Sequence, residues 1–548
     1  MTYTIEKVTT LIGARRYGDK DTNIGFILTD SRSLCFPEET LFFALKSERN
    51  DGHNYIPELY RRGVRNFVVT NVPKGYASDY PEANFLKVVN TLEALQRLAE
   101  RHRDEFNIPI VGITGSNGKT MVKEWLHQLL SPSMFVTRSP RSYNSQIGVP
   151  LSVWLLNEQT QVGVFEAGIS QPGEMLALRD IIQPTIAVLT YLGSAHQENF
   201  GSLEEKCREK IVLFHDAETI VYNGDDEIVT KVVGEYHDYK GEKLYWSMKD
   251  AKAPFFVKNV EKKGNLSIVT YIYKGEEDSY SLPFIDDASV TNSIIAAVVS
   301  RKLGLSAEDV DKRMSQLEPV AMRLEVKEGQ HGCTLINDSY NSDINSLDIA
   351  LDFMSRRPDH KGRRHTLILS DIFQSGENPK DLYKEVSDLC RKRGVVKFIG
   401  VGPQLYEQSE EIQISEKFFF HDVKEFIDSE VFKSLRDEVI LLKGARQFGF
   451  DQLTELLVQK VHETTLEVNL NAVVANLNYY RAFMKPETKL VCMIKADGYG
   501  AGAVEIAKTL QDHRVDYLAV AVADEGVTLR KNGITSNIMI MNPEMTAF

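Results

Sequence analysis

Residues 113–126 read ITGSNGKTMVKEWL, and this stretch decides how the chain is built around its chemistry. The run IPIVGIT at 108–114 is a short apolar strand, and KTMVKEWLHQLL after the glycines reads as a helix. Its residues Met121, Val122, Trp125, Leu126, Leu129 and Leu130 recur at the spacing of one buried helical face. A strict glycine-rich phosphate loop carries a further glycine five residues ahead of the one preceding the lysine. Position 113 is isoleucine, so the loop is shortened. The context still favours phosphate over a plain glycine turn with a lysine nearby. A strand feeding a glycine turn into a helix N-terminus aims free backbone N–H groups and the positive dipole end at an anion. Gly115 and Gly118 let the backbone close around phosphate oxygens, Lys119 supplies charge, and the Thr120 hydroxyl suits Mg²⁺.

Working outward, an ATP site needs a divalent cation, which directs attention to acidic and imidazole side chains at strand ends. The strand QVGVFEAG ends in Glu166, and PTIAVLTYLG is followed by His196. Adjacent parallel strands end on the edge that holds the phosphate loop, so both can converge there. The next helix, SLEEKCREKIVLF, opens with a capping box of Ser202 and Glu205. Leu203, Cys207, Ile211 and Phe214 form its apolar stripe, and Lys210 falls on that stripe. A buried amine is relieved by a depressed pKa or by uptake of CO₂ as a carbamate, an anion able to ligate a metal. Periodicity alone favours the other outcome, a lysine snorkelling off the helix edge.

The whole chain has 548 residues, 43% hydrophobic and 26% charged, which reads as an α/β protein of several domains. Four segments are expected. Residues 1–107 form a small α/β domain, 108–318 a parallel sheet covered by helices, 319–462 a second open α/β domain, and 463–548 a separate restart. Within the second segment, FFVKNV and SIVTYIY predict antiparallel strands. Apolar runs are too short to cross a bilayer, and no secretory signal is read at the N-terminus. Cys35, Cys207, Cys333, Cys390 and Cys492 are scattered without a CxxC pair, consistent with a reducing cytoplasm. The net charge of −13, with no compensating basic block, argues against nucleic-acid or membrane binding.

Further motifs add a resemblance. TGSNGKT, RSYNSQIGVPLSVW, FEAGIS, AHQENFGSLEEKCREK, TNSIIAAVVSRKLG, PVAMRLEV, INDSYNSDINSLDIAL and LLKGARQF, in this order, resemble the Mur ligase family on its dipeptide-adding branch. That family has the shortened glycine spacing. The resemblance implies a three-domain fold: a UDP-substrate-binding domain, a central ATPase-like parallel sheet, and a C-terminal Rossmann-like domain. It implies ATP with Mg²⁺, and D-alanyl-D-alanine joined to UDP-N-acetylmuramoyl-tripeptide through an acyl phosphate, by a monomeric ligase part. ATP would be held by Thr114, Gly115, Ser116, Asn117, Gly118, Lys119 and Thr120, with Asn292, Arg323 and Asp338 on the nucleotide and Arg323 towards the γ-phosphate. Thr120, Glu166, His196 and Lys210 would bind metal. The resemblance reverses the snorkelling reading, because Lys210 falls fourteen residues after His196, where the family carries a carbamoylated lysine. Lys119, Lys210, His196 and Arg323 are the expected catalytic residues. Ser31 and Arg32 of TDSRS, with DGH at 51–53, resemble the uridine pocket, and Asn144 matches an asparagine near the muramoyl-peptide. Lys443, Gly444 and Arg446 resemble a KGSR stretch on the dipeptide side, with Ala445 in place of the serine.

The last segment resembles the start of the alanine racemase family, through LEVNLNAVVANLNYYR, KLVCMIKADGYGAGAVEIAKTL and VDYLAVAVADEGVTLRKNGI. Lys495 matches the Schiff-base lysine and Tyr499 a tyrosine near the phosphate of pyridoxal phosphate, while Ala501 replaces the usual histidine. A complete (β/α)₈ barrel takes roughly 250 residues, so an incomplete barrel without racemase activity is expected here, and a dimer only for a whole racemase. Two other readings share these residues: a folylpolyglutamate-synthase-like ligase, and a non-catalytic nucleotide-binding scaffold tethering a racemase. TDSRS and DGH favour a UDP-linked substrate over the first. The intact Lys119, Thr120, Glu166, His196 and Lys210 speak against the second.

Overall fold

The computed structural model describes residues 2–34, 36–47, 50–140, 142–193, 199–237, 239–264, 266–318, 325–339, 343–356, 362–372, 378–445, 448–459, 467–485 and 487–542. His196, Arg323 and Arg446 therefore lie outside the described residues. The strand Ile110–Thr114 is buried at every position because its residues face helices on both sides, as a central parallel strand must. It pairs in parallel with Val162–Glu166 on one side and Ile186–Leu189 on the other. Val136–Arg138 extends the sheet beyond Val162–Glu166, and Thr219–Val221 then Glu242–Lys243 extend it beyond Ile186–Leu189, all in parallel. This order brings the strand ends at Glu166 and Leu189 to the edge that holds the phosphate loop, while the expected convergence of His196 there lies outside the described residues.

The helix Lys119–Leu130 covers one face, burying Val122, Trp125, Leu126, Leu129 and Leu130. Met121 is only partly buried, and Lys123 is buried in its stead. Trp125 stacks on Phe284 at 5.4 Å and donates its indole N–H to the Glu318 carbonyl at 3.2 Å. The helix Asp287–Lys302 packs beside it and is buried without a break from Ile294 to Val299. FFVKNV and SIVTYIY lie in Phe255–Lys263 and Leu266–Tyr273, which pair antiparallel as expected, with Glu276–Leu282 on the far side.

Before this block, a five-stranded sheet runs Arg15–Tyr17, Asn84–Lys87, Asn66–Val69, Thr40–Phe43, Phe26–Leu28, parallel except for the first pair. It is fastened to the central sheet by Trp154, whose ring lies 5.4 Å from Tyr3 and 4.5 Å from His102 and whose N–H donates to Gly25 O at 3.2 Å. Truncating such a buried indole costs about 3–5 kcal/mol, so this joint is strong. After the block, a sheet of order Glu325–Glu328, Thr334–Asp338, Glu438–Lys443, Arg364–Ser370, Lys397–Val401, Glu416–Phe420 is parallel apart from its first strand.

The final described segment holds three parallel strands, Val491–Met493, Tyr517–Val520 and Asn537–Ile540. It docks on the central domain. Arg514 donates to Trp154 O at 2.9 Å, Asp512 lies 3.7 Å from Arg138, and the Arg481 guanidinium sits 5.1 Å over Phe36.

Candidate active site

The phosphate loop is held tightly against the end of the neighbouring strand. Gly115 has φ 145°, and a Cβ there would stand 2.1 Å from Thr190 Oγ1. Gly118 caps the helix at φ 87°, and its Cβ would stand 2.5 Å from Asn292 Oδ1. Neither position admits a side chain. Ser116 N–H donates to Tyr191 O at 2.6 Å, and Thr190 Oγ1 donates to Asn117 O at 2.5 Å.

Lys119 Nζ donates to Gly115 O at 2.6 Å and to Ser116 O at 3.2 Å. Lys210 Nζ reaches the same Gly115 carbonyl at 3.3 Å. The snorkelling read from periodicity is therefore corrected, since Lys210 is only 3% exposed. The physical reason is the helix Leu203–Ile211, whose Cys207 and Ile211 pack into the core and turn the lysine inward. Ser202 Oγ caps that helix by accepting from Glu205 N–H at 3.0 Å. Glu205 returns its carboxylate to Gly201 N–H rather than to Ser202 N–H, a variant of the expected capping box. Burial pushes the Lys210 amine well below the usual lysine range, and the Lys119 and Lys206 ammoniums push the same way.

Glu166 is fully buried at its strand end. Its Oε2 accepts from Thr120 Oγ1 at 3.1 Å and from Asn144 Nδ2 at 3.3 Å. Asn144, expected near the muramoyl-peptide with Ser31 and Arg32, thus stands at the phosphate loop. The Asn144 carboxamide also lies close to Gly168, where a Cβ would stand 2.9 Å from its Cγ. Lys123 Nζ lies 3.2 Å from Glu166 Oε1 and 2.8 Å from Glu124 Oε1, and donates to Ser139 O at 3.0 Å. The ammonium is off the direction a hydrogen bond to Oε1 needs, and that oxygen is buried without one. Thr114 Oγ1 and Asn117 Nδ2 are likewise buried without a hydrogen-bond partner. Such atoms are rare in a finished interior, and Thr114 Oγ1 with Asn117 Nδ2 beside the loop fit a polar ligand, whereas Glu166 Oε1 has the Lys123 ammonium as its ionic partner. Among the described residues no group of three or more His, Cys, Asp or Glu could hold a metal; a carboxylate, a hydroxyl and a buried amine are what stand at this loop.

Asn292, Asp338 and Lys443 meet Asn117 and Gly118 around a cavity of about 60 Å³. Lys443 Nζ holds Asp338 Oδ2 at 2.6 Å. Ala445 N–H donates to Ser370 Oγ at 2.8 Å, so a neighbouring strand supplies a hydroxyl beside the position where the motif has lost its own.

Ser31 and Arg32 lie in the turn Ser31–Ser33 past Phe26–Leu28, and DGH lies past Thr40–Phe43. Both follow the C-terminal ends of parallel strands, where ligands of open sheets bind. Arg32 is 88% exposed and folds back on Asp30 at 2.6 Å. His53 is fixed by Asp51 at 2.6 Å and accepts from Thr70 N–H at 3.1 Å. Lys495 and Tyr499 are exposed, beyond the end of Val491–Met493. Ala496, Asp497, Gly498 and Tyr499 form a left-handed turn with φ between 52° and 63°, which L-residues adopt only at a cost.

Sequence reading missed Lys123 and Lys206. Lys123 follows Thr120 by three residues and so shares its helix face, while Lys206 precedes Lys210 by four. Those spacings were the available signal. Lys206 is fully buried, donates to Gly193 O at 2.5 Å, and is pulled down to about 8 by burial.

A shortened phosphate loop with a buried carboxylate and a buried lysine at the edge of a parallel sheet, between two further α/β sheets, defines a nucleotide-using ligase. Residues 113–300 match the Mur ligase middle domain, and residues 468–547 match the alanine racemase N-terminal domain. The UDP-N-acetylmuramoyl-tripeptide–D-alanyl-D-alanine ligase of Bacillus subtilis is 26% identical over 465 residues, covering 80% of this chain and 94% of that protein. MurF from Acinetobacter baumannii superposes with a TM-score of 0.72 at 22% identity, over 83% of this chain and 99% of that one. The MurF ligase of Thermotoga maritima in complex with ADP superposes with a TM-score of 0.67 at 22% identity, over 78% of this chain and 96% of that one. Over most of its length the chain is similar to Mur ligases, and its last segment is similar to the start of an alanine racemase.

Proposed function

We propose that the chain joins D-alanyl-D-alanine to UDP-N-acetylmuramoyl-tripeptide at the expense of ATP. The observation that carries this reading is the convergence of Lys119 and Lys210 on Gly115 O, with Thr120 and Asn144 on Glu166. A peptide carboxylate is a weak nucleophile facing a polyanion. Lys119 at the helix N-terminus offsets that repulsion and stabilises charge on the transferring phosphoryl group. A carboxylate oxygen attacks the γ-phosphorus and ADP leaves. The dipeptide amine then attacks the acyl carbon of the acyl phosphate, loses a proton, and expels inorganic phosphate. Thr120, Glu166, Lys210 as its carbamate, and His196 would hold Mg²⁺. When bound it supplies Lewis-acid stabilisation of the phosphoryl oxygens.

Asn292, Asp338 and Arg323 serve the nucleotide, Ser31 and Arg32 the uridine end, and Lys443 with Arg446 the dipeptide side. Asn144 bridges the peptide end and the phosphoryl centre. With the division at 107, 318 and 462, the uridine end falls in the first domain and the dipeptide side in the third, while the nucleotide residues are shared by the second and third. Among the described residues no helix is long and apolar enough to cross a membrane; use of ATP with a UDP-linked substrate is the support for work in the cytoplasm. In the racemase-like segment, Lys495 and Tyr499 are the residues that would meet pyridoxal phosphate.

The test is phosphate release with ATP, UDP-N-acetylmuramoyl-tripeptide and D-alanyl-D-alanine, with the product weighed by mass spectrometry. Release that needs both substrates supports the reading. ATP hydrolysis indifferent to them would point to the scaffold, and glutamate addition to a folate would point to the folylpolyglutamate-like enzyme. Lys119→Ala in the same assay should lose at least about 100-fold in kcat with an unchanged melting temperature, the usual loss for one positioned donor at such a centre.

A further inference from the structure

Lys123 is a lysine with 0% exposed side chain, on the helix that begins at the phosphate loop. Burying an ammonium is costly unless opposite charge and hydrogen bonds surround it. Here they do: Glu166 at 3.2 Å, Glu124 at 2.8 Å, and Ser139 O at 3.0 Å. Glu124 is in turn held by Arg138 Nε at 3.0 Å. Burial pushes the Glu124 carboxyl up, yet Arg138 and Lys123 together hold it below its ordinary value. The charges therefore alternate along one line, from Arg138 through Glu124 and Lys123 to Glu166. Its inner end is the carboxylate whose other oxygen faces Thr120 and Asn144.

We propose that Lys123 is a positioning residue for Glu166: it fixes the carboxylate rotamer at the phosphoryl centre and, as a counter-charge behind it, weakens its hold on a divalent cation. This rests on the ligase reading for the identity of the reaction, and on geometry for the role of the lysine. Two oxygens of one carboxylate facing opposite sides cannot both serve the front of the site. The rear oxygen takes Lys123, so the front oxygen meets Thr120 in a single orientation. A unit positive charge about 3 Å behind a carboxylate also reduces its net pull on a cation in front. Release of ADP with its cation after each turnover benefits from that weakening. Neither effect requires Lys123 to touch substrate.

The two effects give a signed experiment on the full chain. Mn²⁺ replaces Mg²⁺, and its binding in the presence of ADP is read by electron paramagnetic resonance, independently of turnover. Lys123→Met removes the counter-charge and the restraint together, so Mn²⁺ should bind about 10-fold tighter while kcat falls by 100-fold or more, with KM for ATP moving far less. Lys123→Arg keeps the charge and should leave Mn²⁺ affinity within about threefold of the parent. Glu124→Gln, nearer the surface, releases Lys123 to lean on Glu166 alone and should weaken Mn²⁺ binding. This opposite sign keeps the proposal testable if Lys123→Met does not fold. Mn²⁺ affinity unchanged in Glu124→Gln, or weaker in a folded Lys123→Met, overturns the proposal. Failure of the parent chain to ligate would overturn the functional reading instead, and leaves the Mn²⁺ comparison standing.

Discussion

Lys210 reaches the phosphate loop through a core that leaves no room for a hydrated ammonium. Its amine is held well below the usual lysine range by burial and by Lys119 and Lys206, which favours the neutral form that reacts with CO₂. With ¹³C-bicarbonate, the chain should show one carbamate resonance that Lys210→Ala lacks. That variant should be nearly inactive and partly rescued by formate or acetate, which restore a carboxylate where the carbamate stood. A parent chain without the resonance at full activity removes carbamate chemistry from the mechanism. Arg32 gives the contrasting case. It is exposed, anchored only to its neighbour Asp30, and remote from Gly115 in sequence and sheet. Arg32→Ala should leave the melting temperature alone and raise KM for the UDP-linked substrate about 10-fold or more, with KM for ATP and kcat little changed, because such binding is uniform between ground and transition states. Equal changes in both KM values would remove the first sheet from the uridine pocket.

At the scale of elements, the helix Thr91–Arg103 carries the junction between the first sheet and the central one. His102 near its end accepts from Tyr3 OH on Nδ1 at 2.9 Å and donates Nε2–H to Leu156 O at 3.1 Å, an arrangement that suits neutral imidazole. Burial lowers it from 6.5 to about 4. Between those values the unfolded chain binds a proton that the folded chain refuses. Stability is thus complete above pH 6.5 and declines as pH falls towards 4, by roughly 3 kcal/mol in total. Urea midpoints compared between the chain and His102→Gln should diverge at neutral pH and converge as pH falls through that window. Parallel curves would mean that His102 titrates normally.

The elements around the loop were legible because their signals are local. IPIVGIT, QVGVFEAG and PTIAVLTYLG are uniformly apolar, as strands covered on both faces must be, and glycines at 115 and 118 announce the turn. What covers a helical stripe is not local, so Lys210 read as an edge residue and Lys123 drew no notice. Asn144 could be placed by motif but not in space, because the turn that carries it returns to Glu166 through Gly168. The place of Ser31 and Arg32 in a turn past a strand comes from the structure, and the fold of Arg32 onto Asp30 depends on one rotamer that no pattern encodes.

On the scale of the molecule, the segment 467–542 stands apart from the phosphate loop. Its contacts fall on Trp154, Arg138 and Phe36, not on the phosphate loop. Deleting residues 463–548 should leave ligation within about twofold of the parent, since a partly exposed ion pair such as Arg138 with Asp512 contributes only about 0–1 kcal/mol. A ligase that dies without the segment would instead place the segment in the ligase fold.

Because that segment is covalently continuous with the face it docks on, its encounter is intramolecular. The face meets its partner at an effective concentration on the order of millimolar for a short connection, whatever the protein concentration. Dilution therefore does not undock it, whereas salt weakens the pairing of Arg138 with Asp512 over a Debye length of about 10 Å at 0.1 M. Joining the two in one chain lets weak surfaces remain together that, as separate proteins at micromolar levels, would spend most of their time apart.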